Sequence, residues 1–139
     1  MTAEAFLNRI KYFDEQINTK LEQVEDLRAL STKITTTFSN MPHSPNSGNQ
    51  TMAHAIDKII DLEKEIDAEI DKLVDAKREV REVIDQIADP TIRLVLEQRY
   101  LCYTHFETIA DRLGLSDRWI QTLNARGIKE VERILAQNK

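Results

Sequence analysis

The sequence predicts an all-α protein, in which a long antiparallel helical hairpin or coiled coil precedes a three-helix domain with a helix-turn-helix. The 139 residues include three glycines and three prolines, too few for the closely spaced turns of an all-β sandwich or barrel. Aromatic residues make up only 6% of the chain, and charged residues make up 31%. Apolar residues recur every three or four positions over long stretches, which is the period of one helix face.

Polar and proline-containing stretches divide the chain into two predicted regions. Residues 1–89 form a helical coiled-coil or oligomerisation region, in which the polar stretch 39–50 is a flexible linker. Residues 90–139 form a separate helical domain. Its first helix begins at the Asp89–Pro90 pair, since aspartate is a good cap and proline suits the first helical position. The apolar side chains of that helix are Leu94, Leu96, Tyr100 and Leu101.

The N-terminal region contains a long amphipathic helix on each side of the linker. The first spans residues 1–38, and the second runs from Thr51 to Ala88, a length of about 55 Å at 1.5 Å per residue. Apolar residues of the second helix recur at heptad spacing, and Glu63 and Lys77 are the kind of polar interruption that sets register or stoichiometry. The predicted oligomer seam consists of Ile56, Ile59, Ile66, Ile70, Leu73 and Val80.

A helix of this length needs a partner helix, and two arrangements remain open. In the first, the N-terminal helix folds back antiparallel on the second helix, since the linker is long enough to allow the reversal. In the second, that hairpin also pairs with another copy of the chain, which makes the protein a homodimer.

The most informative stretch is Phe106–Ala125, which has the residue types of a helix-turn-helix at the required spacing. Ala110 is the small residue where two helices approach, and Gly114, four residues later, suits a left-handed turn. Ser116 is a good cap for the second helix. Gly127 is interpreted as a further turn. Five apolar residues are expected to face inward: Ile109, Leu113, Leu115, Ile120 and Leu123.

The stretch from Leu94 to Leu135, with LEQRYL and FETIADRLGLSDRWIQTLNARGIKEVERIL, resembles region 4 of the sigma-70 family. The layout of the whole chain is also similar to phage-encoded late-transcription regulators of the ArpU and RinA type, in which such a domain follows an N-terminal helical region. The resemblance implies a sequence-specific transcription regulator that binds double-stranded DNA, such as a phage or prophage late-gene activator in the cytoplasm of a bacterial host.

The resemblance also implies a way of binding. The helix that starts at Ser116 would enter the major groove with its N-terminal residues against base edges. At the positions where the family contacts its promoter element, this sequence has Asp117, Arg118, Gln121 and Thr122. The family favours basic residues at the first and third of these positions and an acidic residue at the second. The groove geometry is therefore implied, but the −35 sequence preference is not carried over.

Side-chain chemistry gives an overlapping set of DNA contacts. Arg118 suits guanine and Gln121 suits adenine, because each can form two hydrogen bonds to one base edge, and Asn124 completes this set. The predicted base contacts are Asp117, Arg118, Gln121, Thr122 and Asn124. Predicted phosphate contacts, which position a domain without reading sequence, are Arg112, Ser116, Arg126 and Lys129. Trp119 either packs in the core, which its size favours, or stacks on the sugar-phosphate edge.

The net charge of −5 is unevenly divided along the chain. Residues 90–139 carry 8 Lys/Arg and 6 Asp/Glu, whereas residues 1–89 carry 11 and 18. The small basic excess predicts weak DNA binding by one copy, which favours a dimer with two half-sites. The acidic side chains of the second helix form a solvated face or, alternatively, a docking surface for RNA polymerase or another regulator. They are Asp57, Asp61, Glu65, Asp67, Glu69, Asp71 and Asp75.

The sequence predicts no enzyme, metal site or cofactor. It has no glycine-rich phosphate loop and no nucleophile elbow, and its carboxylates are spaced along a helix. One cysteine and three scattered histidines lack zinc-ligand spacing. No apolar run approaches the roughly 18 residues of a membrane span, and the N-terminus has no signal-peptide pattern. We therefore expect a cytoplasmic protein with no membrane contact.

Two other functions remain open. A small terminase-like DNA-packaging protein also joins a helix-turn-helix to an oligomerising helical region, although there the DNA-binding unit usually comes first. A helical protein–protein adaptor would keep the helix-turn-helix without binding DNA. The departures from the sigma pattern at Asp117 and Gln121 favour that alternative.

Overall fold

The computed structural model describes residues 1–40 and 47–138, and over these residues all regular structure is helical. The predicted all-α class is thereby confirmed. Both long helices have 38 residues. The described part of the chain contains five α-helices: α1 (Ala3–Asn40), α2 (Ser47–Ile84), α3 (Pro90–Leu96), α4 (Phe106–Leu113) and α5 (Asp117–Gln137).

The two long helices extend into the stretch predicted to be a linker. α1 continues to Asn40 and α2 begins at Ser47, so the linker predicted over residues 39–50 was too wide at both ends. Its central part, residues 41–46, lies outside the described residues. Polar residues such as serine, asparagine and threonine disfavour a helix by less than about 0.7 kcal/mol each, so a few of them do not end one.

α2 ends at Ile84, four residues before the predicted end at Ala88. The N–H of Ile87 donates to the Ile84 carbonyl at 3.0 Å, which makes a tighter turn than the α-helix. The Asp89 carboxylate then accepts from the N–H of Thr91 at 2.8 Å, as expected for the cap of α3. A capping residue needs an extended backbone, and Asp89 has φ −78° and ψ 116°, so α2 stops before it.

The backbone divides into two compact units, each described separately below. Unit 1 comprises residues 1–13 and 73–139, and unit 2 comprises residues 14–72. Each unit therefore contains part of α1 and part of α2. The boundary predicted at residue 89 stays a prediction.

Unit 1 has an apolar core to which all five helices contribute. The first turns of α1 supply Leu7 and Ile10, and the last turns of α2 supply Val80 and Ile84. This core holds α4 and α5, the two helices of the predicted helix-turn-helix. Its most completely buried side chains are Leu7, Ile10, Val80, Ile84, Ile87, Val95, Leu96, Ile109, Ile120, Val131 and Ile134.

Gly127 lies inside α5 and is buried, so its interpretation as a turn was wrong. A Cβ atom at this position would lie 2.9 Å from Cδ1 of Leu96 and 3.0 Å from Cγ2 of Ile92. Both of those side chains belong to α3. The two helices therefore approach each other closely at this glycine, and a larger residue would have to displace the Leu96 and Ile92 side chains.

The backbone between α3 and α4 takes two less common conformations. α3 continues directly into a π-helical turn, Glu97–Leu101, where a single regular helix was expected. Tyr103 then has φ 57°, in the left-handed region that favours glycine. Both features bring side chains to positions that an uninterrupted α-helix would not give them.

Unit 2 is formed by parts of α1 and α2 with ion pairs between them. Nη2 of Arg28 lies 2.9 Å from Oε1 of Glu63, and Nζ of Lys20 lies 3.7 Å from Oε1 of Glu69. Lys20, which comes earlier in α1, pairs with the carboxylate that comes later in α2. Glu69 is 9% exposed, so its predicted place on a solvent-facing acidic surface was wrong. Where the side chains of unit 2 are described, the buried apolar ones are Ile17, Val24, Ala55 and Ile66.

The predicted oligomer seam on α2 is divided between two helix faces. Ile56 and Ile70 are 47% and 41% exposed. Each of these two residues lies three positions before a member of the buried series, which places it about 60° away around the helix. The other four seam residues are buried or half-buried: Ile59, Ile66, Leu73 and Val80.

Candidate nucleic-acid interface

The turn between α4 and α5 has the local conformation expected from its sequence. Gly114 has φ 67° and ψ 33°, a left-handed conformation that confirms the turn predicted at this glycine. The N–H of Leu115 donates to the Ala110 carbonyl at 3.0 Å, which closes the end of α4. Oγ of Ser116 accepts from the N–H of Trp119 at 3.1 Å and so caps α5, as predicted.

Buried side chains on both helices fix the position of α5. Ile109 and Ile120 are 0% exposed, and Leu123 is 3% exposed. Leu113 and Leu115 are partly buried and pack against the same core. The expectation that these five residues face inward is confirmed. The opposite side of α5 is therefore available to solvent.

The solvent-exposed side of α5 carries most of the predicted DNA contacts. Arg118, Gln121, Arg126 and Lys129 are exposed, and Thr122 is half-buried. We call these five residues the outer face of α5. Four of them, at positions 118, 122, 126 and 129, follow one another at intervals of four, four and three along the helix. Asp117 is exposed in the first turn of the same helix.

The polar groups on the outer face differ in their partners. Oγ1 of Thr122 donates to the Arg118 carbonyl at 3.0 Å, so this hydroxyl is already engaged. Arg118 and Lys129 form no ion pair with any residue in the described part of the chain. Arg133, one turn beyond Lys129, is paired instead with Glu130 at 2.8 Å. Among the described residues, the charges of Arg118 and Lys129 are therefore exposed and unpaired.

Trp119 lies on the surface of α5, so its favoured place in the core was wrong. Its side chain is 41% exposed. The guanidinium carbon of Arg126 lies 5.0 Å from the centroid of the Trp119 ring, which is within cation–π range. The ring holds the Arg126 side chain against the helix. A guanidinium fixed in this way keeps its charge exposed, which suits a phosphate contact.

Two further predicted phosphate contacts lie close to the turn. Arg112 is exposed in the last turn of α4, and its Nη1 donates to Oε1 of Gln98 at 3.4 Å. Ser116 is exposed at the start of α5. Both could meet a phosphate approaching the start of α5, where backbone N–H groups favour an anion.

Asn124 is the one predicted base contact that the structure buries. The residue is 8% exposed, and its Nδ2 donates to the hydroxyl of Tyr100 at 3.2 Å. The amide is therefore turned away from the outer face of α5. This placement favours a structural role for Asn124 over contact with a base. No neighbour of Asn124 in the chain indicates this burial, since Tyr100 lies 24 residues earlier.

Two other kinds of site have no counterpart among the described residues. Residues 1–40 and 47–138 include no helix with the length and apolar character needed to cross a bilayer. The same residues contain no group of three or more histidine, cysteine or carboxylate side chains placed to hold a metal ion. Comparison of the chain with protein-family models, curated proteins and solved structures finds no match.

Proposed function

We propose that this protein is a sequence-specific DNA-binding transcription regulator that places α5 in the major groove. The outer face of α5 is the observation that carries the proposal. On this face, exposed arginine and lysine side chains that can contact phosphate lie beside a glutamine that can bind a base edge. The resemblance to sigma region 4 and to phage late regulators supports a more specific role as a phage or prophage late-gene activator in a bacterial cell.

The exposed residues divide into two roles within this proposal. Arg118 and Gln121 read bases, with Asp117 and Thr122 beside them, because the first turns of a recognition helix lie deepest in the groove. Lys129, further along α5, contacts phosphate together with Arg126, Arg112 and Ser116. Asn124 is removed from the base-reading set because its amide is buried.

We also propose that the active species is a dimer. The basic excess of residues 90–139 is only two charges, so one copy would neutralise few phosphates. Ile56, Ile60 and Ile70 of unit 2 stand at helical intervals on one side of α2 and are 47%, 44% and 41% exposed. A second copy of α2 would cover these isoleucines and would double the number of DNA contacts.

The ion pairs of unit 2 support the antiparallel hairpin within each chain. Arg28 pairs with Glu63, whereas Lys20, two turns earlier on α1, pairs with Glu65 and Glu69 further along α2. This order is that of two antiparallel helices. The hairpin would then present the exposed isoleucines of α2 to the partner chain.

Binding of DNA is tested by enriching duplexes from a random pool on the full-length protein and measuring affinity for the selected duplex. We expect Arg118→Ala to weaken binding of that duplex by about tenfold or more, with little effect on an unrelated duplex. Lys129→Ala should weaken binding of the two duplexes equally. It should also reduce the slope of log affinity against log salt concentration by about one. Arg78→Ala is the matched control, because Arg78 pairs with Asp75 on α2.

The outcomes separate the candidate functions. Failure to enrich any sequence would contradict the proposal and favour the protein–protein adaptor. Equal effects of Arg118→Ala and Lys129→Ala on the two duplexes would contradict the assigned roles. Ring-shaped oligomers with weak sequence preference would favour a terminase-like packaging protein.

Dimerisation is tested by analytical ultracentrifugation of the full chain. We expect Ile70→Asn to raise the dimer dissociation constant, since it puts an amide in the proposed apolar interface. Leu30→Asn is the control, because Leu30 is similarly exposed, at 48%, but lies on α1. A monomer that binds its selected duplex with nanomolar affinity would contradict the dimer proposal.

A further inference from the structure

One side of α2 carries a row of residues that the core leaves largely uncovered. α2 is continuous from Ser47 to Ile84, and positions spaced alternately by four and three residues follow one side of such a helix. Ile70 and Val74 lie at the middle of the row and are 41% and 58% exposed. We call this row the α2 stripe, and it consists of Glu63, Asp67, Ile70, Val74, Lys77 and Arg81.

The charges of the α2 stripe are divided by sign. Glu63 and Asp67 come before the two apolar residues, and Lys77 and Arg81 come after them. Like charges four residues apart on one helix destabilise it slightly. Glu63 pairs with Arg28 at 2.9 Å, whereas the other three have no ion-pair partner among the described residues. A partner that presents the opposite order of charges would therefore stabilise the stripe.

A second copy of α2, running antiparallel, presents that opposite order. We propose that the α2 stripe binds the same stripe of a second copy, antiparallel, with the two-fold axis at the level of Lys72. Ile70 of each copy then lies opposite Val74 of the other, and both acidic residues of the stripe lie opposite basic ones. The arrangement rests on the dimer proposed above and gives that dimer its direction and register.

The surface of α2 around Lys77 supports this alignment. A surface hollow there is lined by Val74, Lys77, Arg78, Arg81, Glu82 and Asp85. The first four of these residues have the spacing of the set that receives one side chain of a facing helix. In the proposed alignment that side chain is Asp67 of the second copy. Arg78 already pairs with Asp75, so Lys77 and Arg81 are the cations that meet the incoming carboxylate.

Two other alignments of the stripe place like charges together. A parallel pair in register puts each charged residue opposite its own copy. An antiparallel pair centred on residue 65 puts Ile60 opposite Ile70 but also puts Glu63 opposite Asp67. Like charges brought together at an interface are costly, which favours the alignment centred on residue 72. There Ile60 and Ile56 lie opposite the end of α2 and the turn after it, so they still face the second copy.

Exchanging two charges tests the alignment by analytical ultracentrifugation of the full-length protein. Asp67→Lys, at an exposed position, places a lysine opposite Lys77 at two symmetric contacts, so the dimer dissociation constant should rise by about tenfold or more. Lys77→Asp should raise it by a similar factor. The variant that carries both changes restores opposite charges, so its dissociation constant should return to within about threefold of the original value. Asp61→Lys is the control, because Asp61 is exposed and lies about 120° around α2 from Asp67.

Spin labels measure the register directly. Cys102, which is exposed, is first replaced by serine, and Lys58→Cys then carries one label on each copy. Lys58 lies on the side of α2 opposite Asp67, so the label does not enter the contact. Double electron–electron resonance should show labels about 42 Å apart along the helix axis in the proposed alignment, against about 21 Å when the centre is residue 65. In a parallel pair the labels would lie at the same level.

The outcomes separate this proposal from the ones on which it rests. A dimer whose dissociation constant is unchanged or lowered in Asp67→Lys, or whose label distance fits another alignment, would overturn the proposed register and leave the dimer in place. Failure of the double variant to recover would also count against it. A full-length protein that stays monomeric at about 0.1 mM would contradict both the register and the dimer. DNA binding by the outer face of α5 is measured separately with duplexes.

Discussion

Unit 1 and unit 2 are stabilised in different ways, although α1 and α2 run through both. Unit 1 has a core in which side chains such as Ile109, Ile120 and Val131 are completely buried. The described side chains of unit 2 include few buried apolar ones, and its two helix segments are joined by Lys20, Arg28 and their carboxylate partners. The dense packing of unit 1 is the kind that fixes side chains in single positions.

This difference agrees with the roles proposed for the two units. A recognition helix must hold its side chains to within a fraction of an ångström, and a dense core provides that rigidity. An assembly surface needs apolar side chains that the monomer leaves exposed, and unit 2 has them at Ile56, Ile60 and Ile70. The comparison can be tested by matched substitutions in the two units.

The largest expected difference is between Ile120→Ala in unit 1 and Ile66→Ala in unit 2. Both isoleucines are buried, at 0% and 6% exposed. We expect a loss of about 4 kcal/mol in the free energy of unfolding for Ile120→Ala, because many neighbours surround the cavity. Ile66→Ala should lose about 2 kcal/mol, since two helices can close a gap more easily.

Native-state hydrogen exchange measures these losses separately for each unit. Protection in α4 and α5 should fall in Ile120→Ala, whereas Ile66→Ala should lower protection only in unit 2. Equal losses in both variants would show that unit 2 is packed as densely as unit 1, which would contradict the comparison.

A smaller difference is expected between the two glycines of unit 1. Gly114→Ala should cost about 1–2 kcal/mol because of the left-handed backbone, and Gly114→Asn should cost less, since asparagine tolerates that conformation. The order should reverse at Gly127, where even a Cβ would lie 2.9 Å from Leu96. Gly127→Asn should therefore destabilise more than Gly127→Ala.

Thermal unfolding of the four variants checks this reversal. The same order at both positions would mean that backbone conformation, and not the approach of α3, determines the need for glycine at residue 127. Gly114 has open space around it, since no atom lies within 4 Å of an added Cβ. Its variants therefore act as the control for packing.

The features that the sequence predicted correctly depend on neighbours in the chain. The cap at Ser116, the left-handed turn at Gly114 and the helix start at Asp89 each involve residues at most five positions apart. Local backbone chemistry decides such features, so residue type and spacing are sufficient to find them. The same holds for the inward-facing residues of α4 and α5, which follow the helical period.

The features that the sequence missed depend on distant residues. Gly127 is required by α3, and Asn124 is buried because it meets Tyr100. Glycine and asparagine occur in turns, on surfaces and at helix contacts, so the residue type alone does not distinguish these environments. For the same reason the heptad pattern of α2 could not show which isoleucines face α1 within unit 2 and which are left exposed.

The smallest expected effects concern the ion pairs of unit 2. Lys20→Met should cost about 1 kcal/mol, because it leaves the largely buried Glu69 with Lys72, at 3.4 Å, as its one cationic partner among the described residues. Arg28→Met should cost less than about 0.5 kcal/mol, since Arg28 and Glu63 are 63% and 50% exposed. Methionine keeps much of the apolar stem in both variants, so the difference reports on charge.

Salt separates these two contributions. At about 1 M NaCl the screening length is about 3 Å, so the effect of Arg28→Met should disappear. The effect of Lys20→Met should persist, because a partly buried pair is screened much less. Loss of both effects in high salt would mean that Glu69 is hydrated like a surface carboxylate. Unit 2 would then be stabilised by its few buried apolar residues alone, which would widen the contrast with unit 1.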